Sequence, residues 1–287
     1  MITTILIPTY DNLLLLRGLL GSIYSLKSNI KIAIYDDSRS DIIFNDFNQL
    51  AINTPFPLVY TRTNANYAVK NRAAANWNRA INDVLKSNTT IYQVRHHDDY
   101  FFQLNQSFIR SLEAFEDSPS SIMITPTLKP LFQWRAFGFY RYHCPPLMLR
   151  FLIAMPPEIL YYYNYIGPTS SVWLKKSSDK PPFFDTDLTW LVDVNWYSKL
   201  LRRTPLNDVY INQNAATISV QNHQSITSRL KSVAELQRSE SAICLSYLSR
   251  SNKLRLLIIA QALKIVSFLI SLVTPICCLH DHPSSSL

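Results

Sequence analysis

The chain has 287 residues, of which 47% are hydrophobic and 17% charged, and its formal net charge is +8 at pH 7. This length and apolar content exclude a mostly disordered chain and allow one large α/β domain with an appendage. The sequence has only four glycines and contains neither G-x-G-x-x-G nor G-x-x-x-x-G-K-[ST], which excludes the glycine-rich phosphate loops. Any bound phosphate must therefore be held by side chains and a metal ion.

The N-terminal part of the chain alternates between strand and helix patterns. Apolar runs predict strands at residues 3–8, 30–35, 58–61 and 90–95. Helical periodicity predicts helices at residues 13–26, 42–51 and 68–85. This β-α-β-α-β-α-β order predicts a mostly parallel sheet with right-handed crossovers.

The pattern is less regular further along the chain. Residues 105–116 are predicted to form a helix and residues 121–125 a strand. Residues 129–166 are rich in aromatic residues and proline and show no period, so we predict a long functional excursion, either an acceptor platform or a membrane-facing loop.

Acidic pairs follow two of the predicted strands. Asp36 and Asp37 come after residues 30–35, and Asp98 and Asp99 come shortly after residues 90–95. Because strand ends in open α/β sheets face the ligand crevice, these positions predict a site for a nucleotide and a metal ion.

The C-terminal region is strongly apolar between residues 255 and 279, and Lys253, Gln261 and Lys264 fall on one face of a helix there. This pattern predicts an amphipathic helix in a membrane interface, preceded by a basic segment. A short spanning helix, or a helix docked on the protein's own core, would give a similar pattern.

The four cysteines are scattered and lack C-x-x-C spacing, which favours a reducing compartment. The N-terminus shows no basic region followed by an apolar stretch, as a secretory signal would have. We therefore expect a cytoplasmic protein that is peripherally associated with the inner face of the membrane.

Four segments together resemble a known family. In order along the chain, ILIPTYDNLLLLRGLLGSI, IAIYDDSRSD, NRAAANWNRAI and YQVRHHDDYF resemble the nucleotide-sugar-binding half of the family 2 glycosyltransferases. The resemblance is good over residues 2–102 and looser to about residue 223. It implies a GT-A-type fold, which is a Rossmann-like, mostly parallel sheet flanked by helices. We expect a GT-A domain at residues 1–228, with a nucleotide-binding half at 1–102 and an acceptor half at 103–228, and a helical, membrane-associating extension at 229–287.

The resemblance also implies which residues hold the donor. Pro8, Thr9 and Tyr10 match the turn beside the base and ribose, and Asp37 matches the carboxylate that accepts a hydrogen bond from the base. Asp98 matches the residue that faces the ribose, and Arg72 could reach the diphosphate. Ser38 and Arg39 stand where the family usually has glycine. Without the resemblance, residues 36–38 could cap a helix and Arg72 could lie on a solvated helix face.

A metal site is implied at Asp99, with His223 completing the metal or diphosphate site. Carboxylate oxygens and substrate phosphates suit Mg²⁺ or Mn²⁺. A zinc site that adds His96 and His97 is disfavoured, because adjacent residues on a strand point to opposite faces and the four side chains cannot converge. His97 is then a packing residue or a support for the metal ligands.

Asp193 matches the family's catalytic base, although Val192 replaces the usual preceding glutamate. A base is needed because an acceptor hydroxyl is a weak nucleophile until its proton is removed. Asp185 and Asp187 are rival candidates, and each of the three could instead cap a helix.

The expected function is that of an inverting, metal-dependent glycosyltransferase in polysaccharide biosynthesis. It would move a sugar from a nucleotide-diphosphate sugar, with a UDP-sugar as the expected donor, to a hydroxyl of a glycan or lipid-linked acceptor. One alternative is nucleotidyl transfer to a sugar phosphate, but enzymes of that class require a glycine-rich basic loop near the N-terminus, which this sequence lacks. Another is a non-enzymatic nucleic-acid-binding protein, which the basic charge allows, but the aromatic residues cluster where basic residues are sparse. No nucleic-acid partner is therefore expected.

Overall fold

The structure is a computed structural model that describes residues 2–23, 30–63, 71–103, 108–134, 137–177, 179–219, 232–273 and 276–279. The strands are β1 Thr3–Thr9, β2 Ile30–Asp36, β3 Leu58–Arg62, β4 Ile91–Val94, β5 Asp99–Gln103, β6 Ile122–Ile124, β7 Thr127–Trp134, β8 Phe137–Tyr142, β9 Val172–Lys175, β10 Val209–Ile211, β11 Ala215–Ser219 and β12 Ile276–Leu279. The helices are α1 Leu13–Ile23, α2 Ile42–Asn53, α3 Arg72–Lys86, α4 Phe108–Asp117, α5 Pro146–Ile153, α6 Val192–Arg203, α7 Val233–Cys244 and α8 Arg250–Val273.

The larger sheet has seven strands in the order β10-β6-β9-β4-β1-β2-β3. Strands β4, β1, β2 and β3 run parallel to one another, and β9 runs antiparallel to both of its neighbours, β4 and β6. The predicted alternation of strands and helices up to β4 is confirmed, as is the mostly parallel sheet. Helix α3 begins at Arg72 because the side-chain oxygen of Asn71 accepts a hydrogen bond from the Ala74 amide at 3.0 Å, the usual N-cap arrangement.

Both faces of this sheet are buried, which is why its strands read as continuous apolar runs. In β1, Ile5 and Ile7 belong to the apolar cluster that includes side chains of α1, α2 and α4, while Leu6 belongs to the cluster that includes side chains of α3 and α6. The two-residue alternation of a strand thus distributes one hydrophobic run between two cores.

The prediction that residues 129–166 form an irregular excursion is wrong, because the segment contains regular strands and a helix. Strands β7 and β8 form an antiparallel pair there, followed by α5 and a 3-10 turn at Pro157–Tyr161. They belong to a second sheet of five strands in the order β12-β8-β7-β11-β5. The alternation in β7 is broken between Pro130 and Phe132, where the register shifts, so its period could not be read from the sequence.

The two sheets meet at Arg95, directly after β4. This side chain is fully buried, and it donates to the Asp99 carbonyl at 2.9 Å, the Ser170 carbonyl at 2.9 Å and the Gln93 side-chain oxygen at 2.8 Å. Burial lowers the pKa of Arg95 to about 10, so the guanidinium remains charged at neutral pH. The hydrogen bonds of Arg95 therefore hold the turn between β4 of the first sheet and β5 of the second in place.

Helix α7 is joined to the start of α6 through one buried carboxylate. Glu240 is 3% exposed, and it accepts hydrogen bonds from the backbone amides of Thr189 at 2.6 Å, Trp190 at 3.0 Å and Leu191 at 2.8 Å. These amides precede α6, where an anionic acceptor is also favoured by the helix dipole.

Helix α8 has an unusual distribution of side chains. Its buried positions are the small residues Ala260, Ser267 and Ser271, whereas large apolar side chains are exposed. These exposed side chains are Leu254, Leu257, Ile258, Ile259, Ile265, Val266, Phe268, Leu269 and Leu272. By length and composition alone, residues Arg250–Leu272 could cross a membrane, and they are the one such helix in the described part of the chain.

We expect Glu240→Ala to lower the free energy of unfolding by about 3 kcal/mol or more, because buried amides would lose a charged acceptor. Urea unfolding followed by circular dichroism measures this change. Ser239→Ala is the neighbouring control, since its exposed hydroxyl bonds only within α7. Equal unfolding midpoints for the two variants would contradict the role given to Glu240.

Candidate functional site

The site begins where β1 and β2 end side by side, with Thr9 paired to Asp36. Asp36 is fully buried and accepts hydrogen bonds from the Ser38 amide at 2.9 Å, from the Ser38 hydroxyl and from the Tyr60 hydroxyl at 2.6 Å. The residue before α2 is Asp41, and it makes no side-chain cap bond. The alternative that residues 36–38 cap this helix is therefore wrong, and Asp36 instead stabilises the turn.

Asp37 and Arg72, two of the residues implied in donor binding, lie in contact. The Asp37 amide donates to the Thr9 carbonyl at 3.0 Å, and the Arg72 Nη2 atom donates to Asp37 Oδ1 at 2.9 Å. Burial raises the pKa of Asp37, and the hydrogen bond and charge of Arg72 oppose that shift. Asp37 is 7% exposed at its side chain and Arg72 39%, so one edge of this ion pair faces solvent. Pro8 is buried beside them, and Tyr10 is partly exposed.

The turn after β4 gathers three groups that could hold a cation. One ligand atom each from His96, Asp98 and Asp99 lies within 4.8 Å of the others. The strand ends at Val94, so the alternation that would separate neighbouring side chains does not apply to this turn. The alternation expected from the sequence therefore does not predict that His96 joins Asp98 and Asp99, and His97 is not part of this group.

Packing orients His96. Its Nε2 atom contacts Thr169 Oγ1 at 2.9 Å, its ring lies 4.6 Å from the ring of Trp77, and its Nδ1 atom lies 3.8 Å from Asp99 Oδ2. A ligand histidine held through its other ring nitrogen is the usual arrangement in metal sites. His97 is instead packed beside Pro8, where burial lowers its pKa.

The small residues at 167–171 form a turn against this group. The Ser170 hydroxyl donates to Asp99 Oδ2 at 2.6 Å and accepts from the His96 amide at 3.0 Å. Gly167 has φ 101°, and a Cβ atom at this position would lie 2.2 Å from Thr127 Oγ1. Only glycine fits there, because both the backbone angle and the space exclude a side chain.

Asp193 lies in the first turn of α6. Its Oδ1 atom accepts from the Val194 amide at 2.8 Å and its Oδ2 atom from Asn164 Nδ2 at 3.4 Å. Burial raises the pKa of Asp193 to about 6; the charge of Asp99 adds to the rise, and the Val194 amide and His96 oppose it. Asn164, which bonds to Asp193, also bonds to Gly167 of the 167–171 turn, and Thr169 and Ser170 of that turn contact His96 and Asp99. One turn thus connects Asp193 to the group of His96, Asp98 and Asp99, which we call the metal-ligand group for the role proposed below.

The rival carboxylates have other surroundings. Asp185 lies 3.4 Å from Lys199 Nζ and accepts from Asn195 Nδ2 at 3.3 Å, whereas Asp187 is exposed. His223, the second metal residue implied by the resemblance, lies outside the described residues.

No protein-family model matches the sequence, and no curated protein matches it. Solved structures do resemble the fold. Residues 1–349 of S. aureus TarS, in complex with UDP-GlcNAc, superpose with a TM-score of 0.57 at 13% identity, over 90% of this chain and 70% of that one. Glucosyl-3-phosphoglycerate synthase from Mycobacterium tuberculosis, in complex with Mn²⁺, UDP and glucosyl-3-phosphoglycerate, superposes with a TM-score of 0.51 at 12% identity, over 85% of this chain and 79% of that one.

At such identities the likeness shows the fold, and that fold is of the GT-A type found in nucleotide-sugar transferases. The fold class predicted from the sequence is confirmed. The roles of individual site residues stay predictions.

We expect Asp99→Asn and His96→Ala each to weaken Mn²⁺ binding by about 10-fold or more, because even groups that only support ligands change metal affinity by 10–100-fold. Calorimetric titration with MnCl₂ measures this directly. His97→Gln is the control, since the adjacent ring is outside the group. Unchanged affinity in Asp99→Asn would show that the metal binds elsewhere.

Proposed function

We propose that this protein is an inverting, metal-dependent glycosyltransferase of the family 2 kind, transferring a sugar from a UDP-sugar to a hydroxyl of a glycan or lipid-linked acceptor. The observation that carries the proposal is that the 167–171 turn connects Asp193 on α6, through Asn164, to His96 and Asp99 of the metal-ligand group after β4. A base next to a leaving-group metal site is what this transfer requires.

Donor binding is assigned to the ends of β1 and β2 and the start of α3. Asp37 offers an acceptor to the N–H of the base, Pro8, Thr9 and Tyr10 line the base and ribose, and Asp98 faces the ribose. Arg72, whose guanidinium is partly exposed beside Asp37, offers donors to the diphosphate. The complexes of the two similar structures with UDP or UDP-GlcNAc support a uridine nucleotide as the donor.

His96, Asp98 and Asp99 would hold the cation, and His223 is proposed as a further ligand. A Mg²⁺ or Mn²⁺ ion held by these residues would supply positive charge against the diphosphate leaving group. Two carboxylates suit either ion, and an imidazole ligand favours Mn²⁺, the softer of the two. The similar structure solved with Mn²⁺ supports this choice.

Asp193 acts as the base in a single displacement. Its carboxylate takes the proton of the acceptor hydroxyl while that oxygen bonds to the anomeric carbon and the bond from this carbon to the diphosphate oxygen breaks. One displacement from the opposite side inverts the anomeric configuration. A pKa near 6 leaves Asp193 ionised at neutral pH and still basic enough to accept a proton.

Helix α8 is proposed to lie on the anionic, cytoplasmic surface of a membrane. Its exposed face carries large apolar side chains and its buried face carries small residues, so the large apolar side chains need a partner other than the protein's own core. The helix contains Arg250, Lys253, Arg255 and Lys264 and no acidic residue, which complements anionic lipid. The reduced thiols of Cys144 and Cys244 suit a cytoplasmic location.

We expect Asp193→Asn to lower the transfer rate by about 10²–10⁴-fold with little change in donor affinity, because a positioned base contributes that much. Turnover of a panel of UDP-sugars, with UDP release as the signal, tests this. In the unmodified protein the rate should rise with pH through about 6, since the base works only when ionised, and this dependence should vanish in the variant.

Asp185→Asn and Asp187→Asn serve as controls, because both residues precede α6 and neither belongs to the metal-ligand group. Normal turnover in Asp193→Asn together with its loss in either control would assign the base to another residue.

Replacing Ile258 and Ile265 together by Gln should weaken binding to anionic liposomes about tenfold or more, because each buried isoleucine contributes roughly 1.5–3 kcal/mol. The two side chains are 61% and 60% exposed, so the fold should be unaffected. Liposome sedimentation is the measurement, and Ile52→Gln on α2, 83% exposed, is the control. Equal pelleting of the double variant and the control would rule out α8 as the membrane contact.

A further inference from the structure

A group of positive charges lies on the second sheet, away from the donor residues. Lys129 of β7 and Arg141 of β8 are direct partners across the antiparallel pair, and both are partly buried. Like charges at directly opposed positions repel and destabilise a sheet. Lys264 of α8 adds a third charge: it lies one helical turn before Phe268, whose ring centre is 5.0 Å from the Arg141 guanidinium, and its charge acts on Lys129. We call these three residues the cationic cluster.

No carboxylate balances the cationic cluster in the part of the chain that the structure describes, where none of its members forms an ion pair. Among the residues that the structure describes, Arg141 contacts the Tyr142 carbonyl at 3.5 Å and the Phe268 ring at 5.0 Å. The pKa of Lys129 is lowered by burial and by the two other cations, and the pKa of the neighbouring His143 is lowered to about 4 for the same reasons. The protein thus maintains a concentration of positive charge that an anion would stabilise.

Contacts connect the cationic cluster to the proposed base through His143, two residues after Arg141, and Lys264 connects it to the apolar helix. On one side, the His143 ring donates to the Asn164 carbonyl, and Asn164 Nδ2 donates to Asp193 Oδ2 at 3.4 Å. On the other side, Lys264 is followed on α8 by the exposed side chains of Ile265, Phe268 and Leu269. A molecule with an anionic group and a long apolar chain matches this order of surfaces.

We propose that Lys129, Arg141 and Lys264 bind the phosphate or diphosphate group of a membrane-embedded lipid whose attached hydroxyl is the acceptor. The apolar chain of the lipid would follow the exposed face of α8 into the bilayer, and the acceptor hydroxyl would extend toward Asp193. This inference rests on the proposed glycosyl transfer and narrows its acceptor to a phosphate-linked lipid. A lipid is chosen over a free phosphate because the apolar face of α8 continues from Lys264.

Binding is measured by flotation with phosphatidylcholine vesicles in which one lipid in ten is hexadecyl phosphate. A second set of vesicles carries phosphatidylglycerol at the same surface charge. Lys264→Gln and Arg141→Gln should each weaken binding to the first set about tenfold, as expected for a lost charge-assisted hydrogen bond, and should barely change binding to the second. Arg255→Gln removes the same charge from an exposed position on α8 and is the matched control.

Two results would overturn the proposal. In one, Arg255→Gln weakens binding to the alkyl phosphate vesicles as much as Lys264→Gln, which would mean that attraction to the membrane is unspecific. In the other, inorganic pyrophosphate raises the melting temperature of the unmodified protein but not of Lys264→Gln, and alkyl phosphate vesicles show no preference over phosphatidylglycerol. The site would then take a free phosphate and not a lipid.

Lys129→Gln gives an independent check on the charge repulsion. Without any lipid, its melting temperature should rise, because an unbalanced, partly buried charge is removed. A lower melting temperature would show that Lys129 has a structural partner, and would contradict the proposal. All these assays omit donor and metal, and Asp193→Asn should bind the alkyl phosphate vesicles normally. Failure of the transferase assignment is therefore distinguishable from failure of the lipid site.

Discussion

The buried guanidinium of Arg95 is the interaction on which the arrangement of the site depends. A charge that is fully buried must have its donors satisfied, since leaving them unpaired costs several kcal/mol. Arg95 meets this requirement only when β4, the start of β5 and the 167–171 turn are all in place, because it bonds to Gln93, Asp99 and Ser170. The same turn supplies Thr169 and Ser170 to orient His96 and Asp99. The positions of His96 and Asp99 therefore depend on the contacts between the two sheets and not on either sheet alone.

The carboxylates of the candidate site suit different roles because their surroundings differ. Asp36 is enclosed by hydrogen bonds from Ser38 and Tyr60 and maintains the turn, whereas Asp37 faces Arg72 and retains an edge toward solvent. Asp193 has few donors, and its pKa is correspondingly raised by burial. A carboxylate with saturated hydrogen bonds favours structure, and one that burial makes more basic favours chemistry.

Helices α7 and α8 are packed against the part of the fold that contains α6 and Tyr163. Glu240 of α7 accepts from amides directly before α6, and Tyr163 donates to Ser267 of α8 at 2.8 Å inside the core. Helix α8 buries its small residues on the protein and leaves its large apolar ones outside. The helix proposed to meet the membrane is thus packed against Tyr163, next to Asn164, which bonds to the proposed base Asp193.

The sequence by itself determined the four parallel strands and their intervening helices, because hydrophobic periodicity is a local property. It also located Asp37, Asp98, Asp99 and Asp193 by order and resemblance. Only the tertiary structure decided that His96 joins Asp98 and Asp99, since side-chain directions in a turn follow from packing and not from alternation. The sequence likewise does not predict the contact of Glu240 with Trp190, fifty residues apart, or the pairing of Lys129 with Arg141 in aromatic-rich strands. Long-range pairing is set by the whole fold, and no local pattern encodes it.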